Sequence, residues 1–195
     1  MLVVIDADGL HRVDPASLDA VVAPQPLDVL TPVATVTELP AGEPIGGPDA
    51  AREWRIRGAT LTSALQLGLS LGATELAVAY AKEREQFGKP IGAFQAVKHR
   101  CADMASRTEV LRAAVYAAGV CLDTPEAGDP VRAASVARVL ATEAAAASGK
   151  DAVQVHGGMG YTWEVDAHLF LKRAWVLDHA YGDGEHHAEA LAAAL

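Results

Sequence analysis

From Pro48 onward the chain is a series of long apolar stretches with helical spacing, separated by short glycine- and proline-bearing breaks. Leu61, Leu65, Gly68, Gly72, Leu76 and Tyr80 recur every three or four residues, which places them on one face of an α-helix. Pro48 suits the first turn of that helix, and Asp49 adds favourable negative charge there. The helix is expected to stop near Gln86-Phe87-Gly88-Lys89-Pro90, because glycine and then proline end helices. Val97, Cys101, Met104, Thr108, Leu111, Val115 and Ala118 mark a second helix from about Phe94 to Leu122. A third follows Asp129-Pro130, passes through the alanine-rich stretch 141–147 towards Val155, and ends at His156-Gly157-Gly158-Met159-Gly160. A fourth is expected over about Val165 to Ala180, with Leu169, Leu171, Ala174 and Leu177 inward, and a short fifth over Glu185 to Leu195. Long helices joined by short loops lie antiparallel. The expected fold is therefore all-α, an antiparallel four-helix bundle with a short terminal helix and an irregular, partly β N-terminal arm.

Hydrophobic residues make up 51% of the chain but aromatics only 5%, so the core must be built mainly from Ala, Leu and Val. Glycine inside a helix costs about 1 kcal/mol relative to alanine. Gly68 and Gly72, one turn apart, are therefore expected to let another backbone approach closely.

Before residue 48 the character is different. Leu2-Val3-Val4-Ile5 is a strand candidate bounded by the turn residues Asp6-Ala7-Asp8-Gly9, and Val33 to Thr37 is a second. Leu39 to Pro44 and Gly46-Gly47-Pro48 read as loops. These are too few strands to close a sheet around its own core. The expected division is 1–47 as the remnant of a β domain or an extended arm, and 48–195 as the helical domain.

The formal net charge is -9 and the isoelectric point about 5.2, which argues against nucleic acid, since that binding depends on Lys and Arg neutralising phosphates. No stretch matches the roughly 20 uncharged apolar residues of a membrane span, and the N-terminus lacks the basic flank of a secretion signal. Cys101 and Cys121 read as reduced, buried small hydrophobes, which points to a cytoplasmic location.

Two segments carry chemistry. One is Tyr80-Ala-Lys-Glu-Arg-Glu-Gln-Phe-Gly-Lys-Pro-Ile-Gly-Ala-Phe-Gln95, and the other is Gln154-Val-His-Gly-Gly-Met-Gly-Tyr161. Arg84 stands at a helix end, where its forked guanidinium can grip a phosphate through two bonds. Gln95, eleven residues on, offers a donor and an acceptor. Gly157 and Gly158 have no side chains, so backbone N–H groups there can approach a phosphate or a ring edge. The same residues also suit a purely structural role, with Arg84 capping a helix and the glycines ending one.

Together the two segments resemble the acyl-CoA dehydrogenase family, in its C-terminal helical domain, over about residues 50–180. Residues 1–47 resemble the tail of that family's middle β domain. The resemblance takes in neither that family's N-terminal helical domain nor most of its β domain. The resemblance implies FAD shared across a subunit interface, with Arg84, Gln95, Gln154, Gly157 and Gly158 as cofactor contacts. It also implies an acyl-CoA substrate and a homo- or hetero-oligomer of acyl-CoA dehydrogenase-like chains.

The family's catalytic base is a different matter. Most members carry a Glu in a Glu-Gly-Thr segment one helix beyond Gly-Gly-x-Gly-Tyr; the matching place here holds Tyr181-Gly182-Asp183. A minority place it 26 residues before the motif arginine, which here is Gly58. Glu53, Asp183 and Glu185 fall in neither register, so the catalytic residue is unassigned. The expectation is a fragment or a supporting subunit without its own base. The alternatives are a helical interaction subunit without flavin, or a flavin monooxygenase or oxidase on the same fold. His179, His186 and His187 read as solvated surface rather than a metal site, because no cysteine or acid completes a ligand spacing. Lys172 and Arg173, next to Trp175 in sequence, are expected to form part of a packed interface through their aliphatic stems.

Overall fold

A computed structural model describes residues 1–194. The chain divides into two compact units, Met1–Gly58 and a second that runs from Ala59 to the end.

In the first unit β1 (Leu2–Ile5) pairs antiparallel with β2 (Leu10–Val13), Leu2 opposite Val13. The turn between them is held by Asp6, whose Oδ1 accepts from the N–H groups of Asp8 and Gly9. β3 (Ala20–Val22) pairs with β4 (Ala34–Val36), and β5 (Glu43–Gly46) lies on the other edge of β2. β1 and β4 fall where the β-branched runs predict. β2, β3 and β5 are additional to the sequence reading. β5 crosses a stretch read as loop because it contains Pro44, but β5 is an edge strand, where a missing N–H costs no ladder bond. Leu10 and Val13, at the two ends of β2, are buried.

The second unit holds the helices. α1 (Pro48–Glu83) begins in the first unit and runs into the second. A two-residue pairing of β6 (Glu85–Gln86) with β7 (Lys89–Pro90) follows. Then come α2 (Gln95–Asp123), α3 (Pro130–His156), α4 (Ala167–Asp178) and α5 (Gly184–Ala192). The start of α3 is fixed by Pro130 in its first turn and by Asp129, whose carboxylate accepts from the N–H groups of Val131 and Arg132. The core is alanine-rich, as the composition requires. Ala73, Ala77 and Ala81 of α1 pack with Met104, Ala152, Val153 and Ala167, and Leu67 packs with Leu111, Val115, Ala137 and Ala141. At Gly149 a Cβ would lie 2.8 Å from the Leu171 Cα, so α3 and α4 touch backbone to backbone there.

The apolar stripe of α1 is only half an inward face. Gly72 lies against the Phe170 ring, and Leu76 and Tyr80 pack on the core. Leu61 and Leu65, however, are 66% and 60% exposed, and nothing lies within 4 Å of a Cβ built at Gly68. Over those turns the buried face carries Ser63, Gln66, Leu67 and Ser70. Polar groups are tolerated there because they are bonded: Ser63 donates to the Ala59 carbonyl, and Ser70 joins Thr108 and Ser148 in a chain of hydroxyls across three helices at 2.7 and 3.0 Å. By length and composition α1 could cross a membrane, with an 18-residue window of mean hydropathy 1.2. In this structure 39% of that window is buried, and the hydroxyl chain ties its inner face to α2 and α3. Asp151 of α3 forms ion pairs with Arg100 and Arg107 of α2. Both cysteines are unpaired and half-buried rather than fully buried.

Candidate functional site

Arg84 follows the last residue of α1. Its N–H closes the helix on the Tyr80 carbonyl at 2.8 Å, and its own carbonyl accepts from Ile91 at 2.7 Å. Phe87 and Gly88 between them both have positive φ, 53° and 76°, the backbone of a tight hairpin turn. Phe87 is 91% exposed at the tip. Its ring meets Phe94 edge-on, and the Lys89 ammonium sits 4.5 Å from the Phe94 centroid. Gly92 then passes so close to α1 that a Cβ would lie 2.8 Å from the Ala81 carbonyl oxygen. This contact sets where α2 begins, with Gln95 as its first residue.

The second segment is anchored to the first by aromatic stacking. The Tyr80 and His156 rings lie 4.2 Å apart, centroid to centroid. His156 is buried at the C-terminus of α3, and its Nδ1 is 2.8 Å from the Ala152 carbonyl oxygen, which orients the ring. Gly157 leaves the helix at φ +60°, and no atom lies within 4 Å of a Cβ placed on Gly157 or Gly158. Gly160, in contrast, is pinned, because a Cβ would be 2.5 Å from the Val153 carbonyl oxygen. The loop is thus fastened at one point and bare at the other. Arg84, Gln95, Gln154 and Gly158 are exposed and Gly157 is half-buried. The side chains of Arg84, Gln95 and Gln154 have no hydrogen-bond or ion-pair partner among the described residues. A free guanidinium, two free amides and an open glycine backbone suit the phosphates and polar ring of a dinucleotide.

The turn after α4 joins Tyr181, Gly182 and His187 to Ser135 and Arg138, two residues the sequence reading did not single out. Tyr181 has φ +58° and Gly182 φ +92°. His187 Nε2 lies 3.0 Å from the Tyr181 carbonyl oxygen and its Nδ1 3.0 Å from Ser135 Oγ. With Nε2 donating to the carbonyl, Nδ1 accepts from the serine hydroxyl, which describes a neutral imidazole. Burial holds the His187 pKa below its ordinary value. Of the paired histidines only His186 is on the surface, because the other side of this short helix faces α3. Arg138 of α3 is fully buried and donates to the carbonyls of Asp178, Ala180 and Gly182 and to Gln66. A charge on the alanine face between Ala134 and Ala141 was the signal available for it. Asp183 is occupied as the cap of α5: its carboxylate accepts from the His186 N–H at 2.8 Å, and that bond keeps its pKa low. Glu53 is engaged with Arg57 at 2.8 Å. Lys172 sits over Trp163, 4.7 Å from the ring centroid. No group of three metal-ligating side chains occurs among the described residues.

A family model described as "Acyl-CoA dehydrogenase, C-terminal domain" matches residues 56–195. Acyl-CoA dehydrogenase FadE34 of Mycobacterium tuberculosis is 48% identical over 116 residues, which cover 60% of this chain and 16% of FadE34. Acyl-CoA dehydrogenase IpdE2 of Mycolicibacterium smegmatis is 44% identical over 116 residues, 60% of this chain and 35% of that protein. Among solved structures, the Tcur3481-Tcur3483 steroid ACAD G363A variant superposes with a TM-score of 0.80 at 27% identity, over 94% of this chain and 50% of that one. The chain therefore spans half or less of the length of each of these proteins. By a domain match that takes in all five helices beyond the first turns of α1, the chain belongs to the acyl-CoA dehydrogenase family.

Proposed function

We propose that this chain is a supporting member of an acyl-CoA dehydrogenase assembly, which presents Arg84, Gln95, Gln154, Gly157 and Gly158 to FAD carried mainly by a companion chain. The carrying observation is that these polar groups are unpartnered and the two glycines bare, at the end of the bundle where α1 and α3 are joined by Tyr80 and His156. Arg84 would neutralise phosphate charge, the amides of Gln95 and Gln154 would orient the polar rings, and the glycine N–H groups would bond where no side chain intervenes. The flavin, when bound, supplies the hydride acceptor for α,β-desaturation of an acyl-CoA thioester.

The chain's own residues orient the cofactor; they do not remove the substrate proton. Tyr181 stands in the base register in place of the family's carboxylate. Gly58 stands in the other register. A companion chain of the same family supplies the base, and the exposed Leu61 and Leu65 are apolar surface suited to such association. The half-buried, unpaired cysteines favour a cytoplasmic setting.

The test is co-purification with an acyl-CoA dehydrogenase-like companion. The complex is expected to be yellow, to lose most of its flavin on Arg84→Ala, and to bleach anaerobically with an acyl-CoA such as butyryl-CoA. A colourless complex favours the interaction subunit. A yellow complex that reacts with oxygen but is not bleached by acyl-CoA favours the monooxygenase or oxidase reading.

A further inference from the structure

The second half of α2 carries no charged residue between Arg112 and Asp123. Its inner side is apolar, with Leu111, Val115 and Ala118 buried in the bundle. Its outer side is apolar as well: Val110, Tyr116 and Val120 are 56%, 62% and 55% exposed. A helix on a protein surface keeps polar or charged groups on its outward side, and one that is apolar all round is covered on every side. The bundle covers one side of α2 and leaves the other bare, and bare apolar surface of this kind marks an interaction site.

Beside this face runs a groove of about 270 Å³ between α2 and α3. Val110, Leu140 and Ala144 form its apolar lining, and Ser106, Arg107 and Glu143 its polar one. Nη2 of Arg107 donates to Asp151, while its Nε is buried without an acceptor among the described residues. Glu143 is exposed and has no ion-pair partner among them. The groove thus offers a donor and an acceptor over an apolar floor. That set suits a phenol, whose ring takes the apolar lining and whose hydroxyl both accepts and donates. The chain presents such a group on the same outer face. Tyr116 projects from α2, and Arg112 of its own helix donates to its hydroxyl, which leaves the phenolic proton to give.

We propose that a second copy of this chain covers this face, with Tyr116 of each copy seated in the α2–α3 groove of the other. Knob and groove lie on one surface of one chain, which is what a two-fold contact between like patches requires. The phenol donates to Glu143 of the partner subunit and gives the guanidinium of Arg107 of the partner subunit a further acceptor. Val120 extends the apolar contact beside it. Tyrosine is among the few residue types that carry most of the energy in such contacts. The pairing is separate from the Leu61 and Leu65 surface of α1 and from the cofactor-facing residues, so it stands whether or not flavin is bound.

The experiment is sedimentation equilibrium of the full chain. The wild-type chain is expected to pair, and Leu61→Glu with Leu65→Glu to leave that pairing unchanged. Tyr116→Glu sets a carboxylate against Glu143 of the partner subunit and should raise the dissociation constant about thirtyfold. Adding Glu143→Lys to it should restore most of the loss, because the carboxylate then meets an ammonium. If Tyr116→Glu loses its helical circular dichroism, Ser106→Arg carries the test, since it fills the groove from an exposed position and should weaken pairing as much. A wild-type chain that stays monomeric at its highest soluble concentration overturns the proposal. So does a folded Tyr116→Glu chain that pairs as tightly as the wild type, or a Glu143→Lys addition that restores nothing. A chain that is monomeric alone but loses an acyl-CoA dehydrogenase-like companion on Tyr116→Glu gives this face to the companion, and the second copy is ruled out.

Discussion

Tyr80 on α1 and His156 on α3 stack at 4.2 Å with 24° between their planes. This one contact fastens the Arg84 segment to the Gly157-Gly158 loop. Loss of the ring should therefore loosen both at once. Tyr80→Leu is expected to destabilise the chain by about 1–2 kcal/mol, from the stacking and lost packing together. Tyr80→Phe should stay within about 0.5 kcal/mol, because no hydrogen bond of the phenol is needed for the stack. Urea denaturation of the two variants side by side checks this.

Two helical glycines should respond in opposite directions to the same substitution. Gly149→Ala would place a methyl 2.8 Å from the Leu171 Cα, and backbone cannot move aside as a side chain can. A loss of about 1–3 kcal/mol follows. Gly68→Ala meets nothing within 4 Å, so the helix should gain about 0.5–1 kcal/mol. Thermal melts of the isolated chain read both.

His187 should give the chain an acid-side weakness. Its pKa is lowered chiefly by burial, with Arg138 and His186 adding repulsion against the opposing effects of the Tyr181 carbonyl and Asp183. The folded form thus keeps the imidazole neutral. As pH falls below the unfolded value of 6.5, the unfolded chain gains a proton that the folded chain does not, and stability drops. The loss should begin just below pH 6.5, before carboxylates protonate. In His187→Gln the stability curve should be flatter across that window, as denaturation midpoints taken at successive pH values would show.

Leu61→Glu with Leu65→Glu should leave the bundle's own stability within about 0.5 kcal/mol, because both side chains are exposed. The same pair should abolish association with a companion chain. Sedimentation of the co-expressed complex, beside melts of the variant alone, separates the two effects.

Helix number, order and limits were legible in the sequence, since each helix ends on a local signal such as Asp129-Pro130 or His156-Gly157. Local signals work because capping and backbone sterics act over a few residues. The five proposed cofactor-facing residues were picked out from sequence only through their resemblance to a family pattern. The faces of α1 were not: Leu61 and Ser63 both satisfy a helical period, and which one is buried depends on the partners that Thr108, Ser148 and Arg138 bring from distant helices. β5 was hidden for the same reason, because Pro44 is acceptable only at a sheet edge and an edge exists only once β2 is in place. Arg138 and His187 became meaningful when α3, α4 and α5 met around one turn. A sequence fixes where its chain can bend and which stretches can be helices; the burial of a polar group is decided where segments far apart in sequence supply the bonds that offset its lost water.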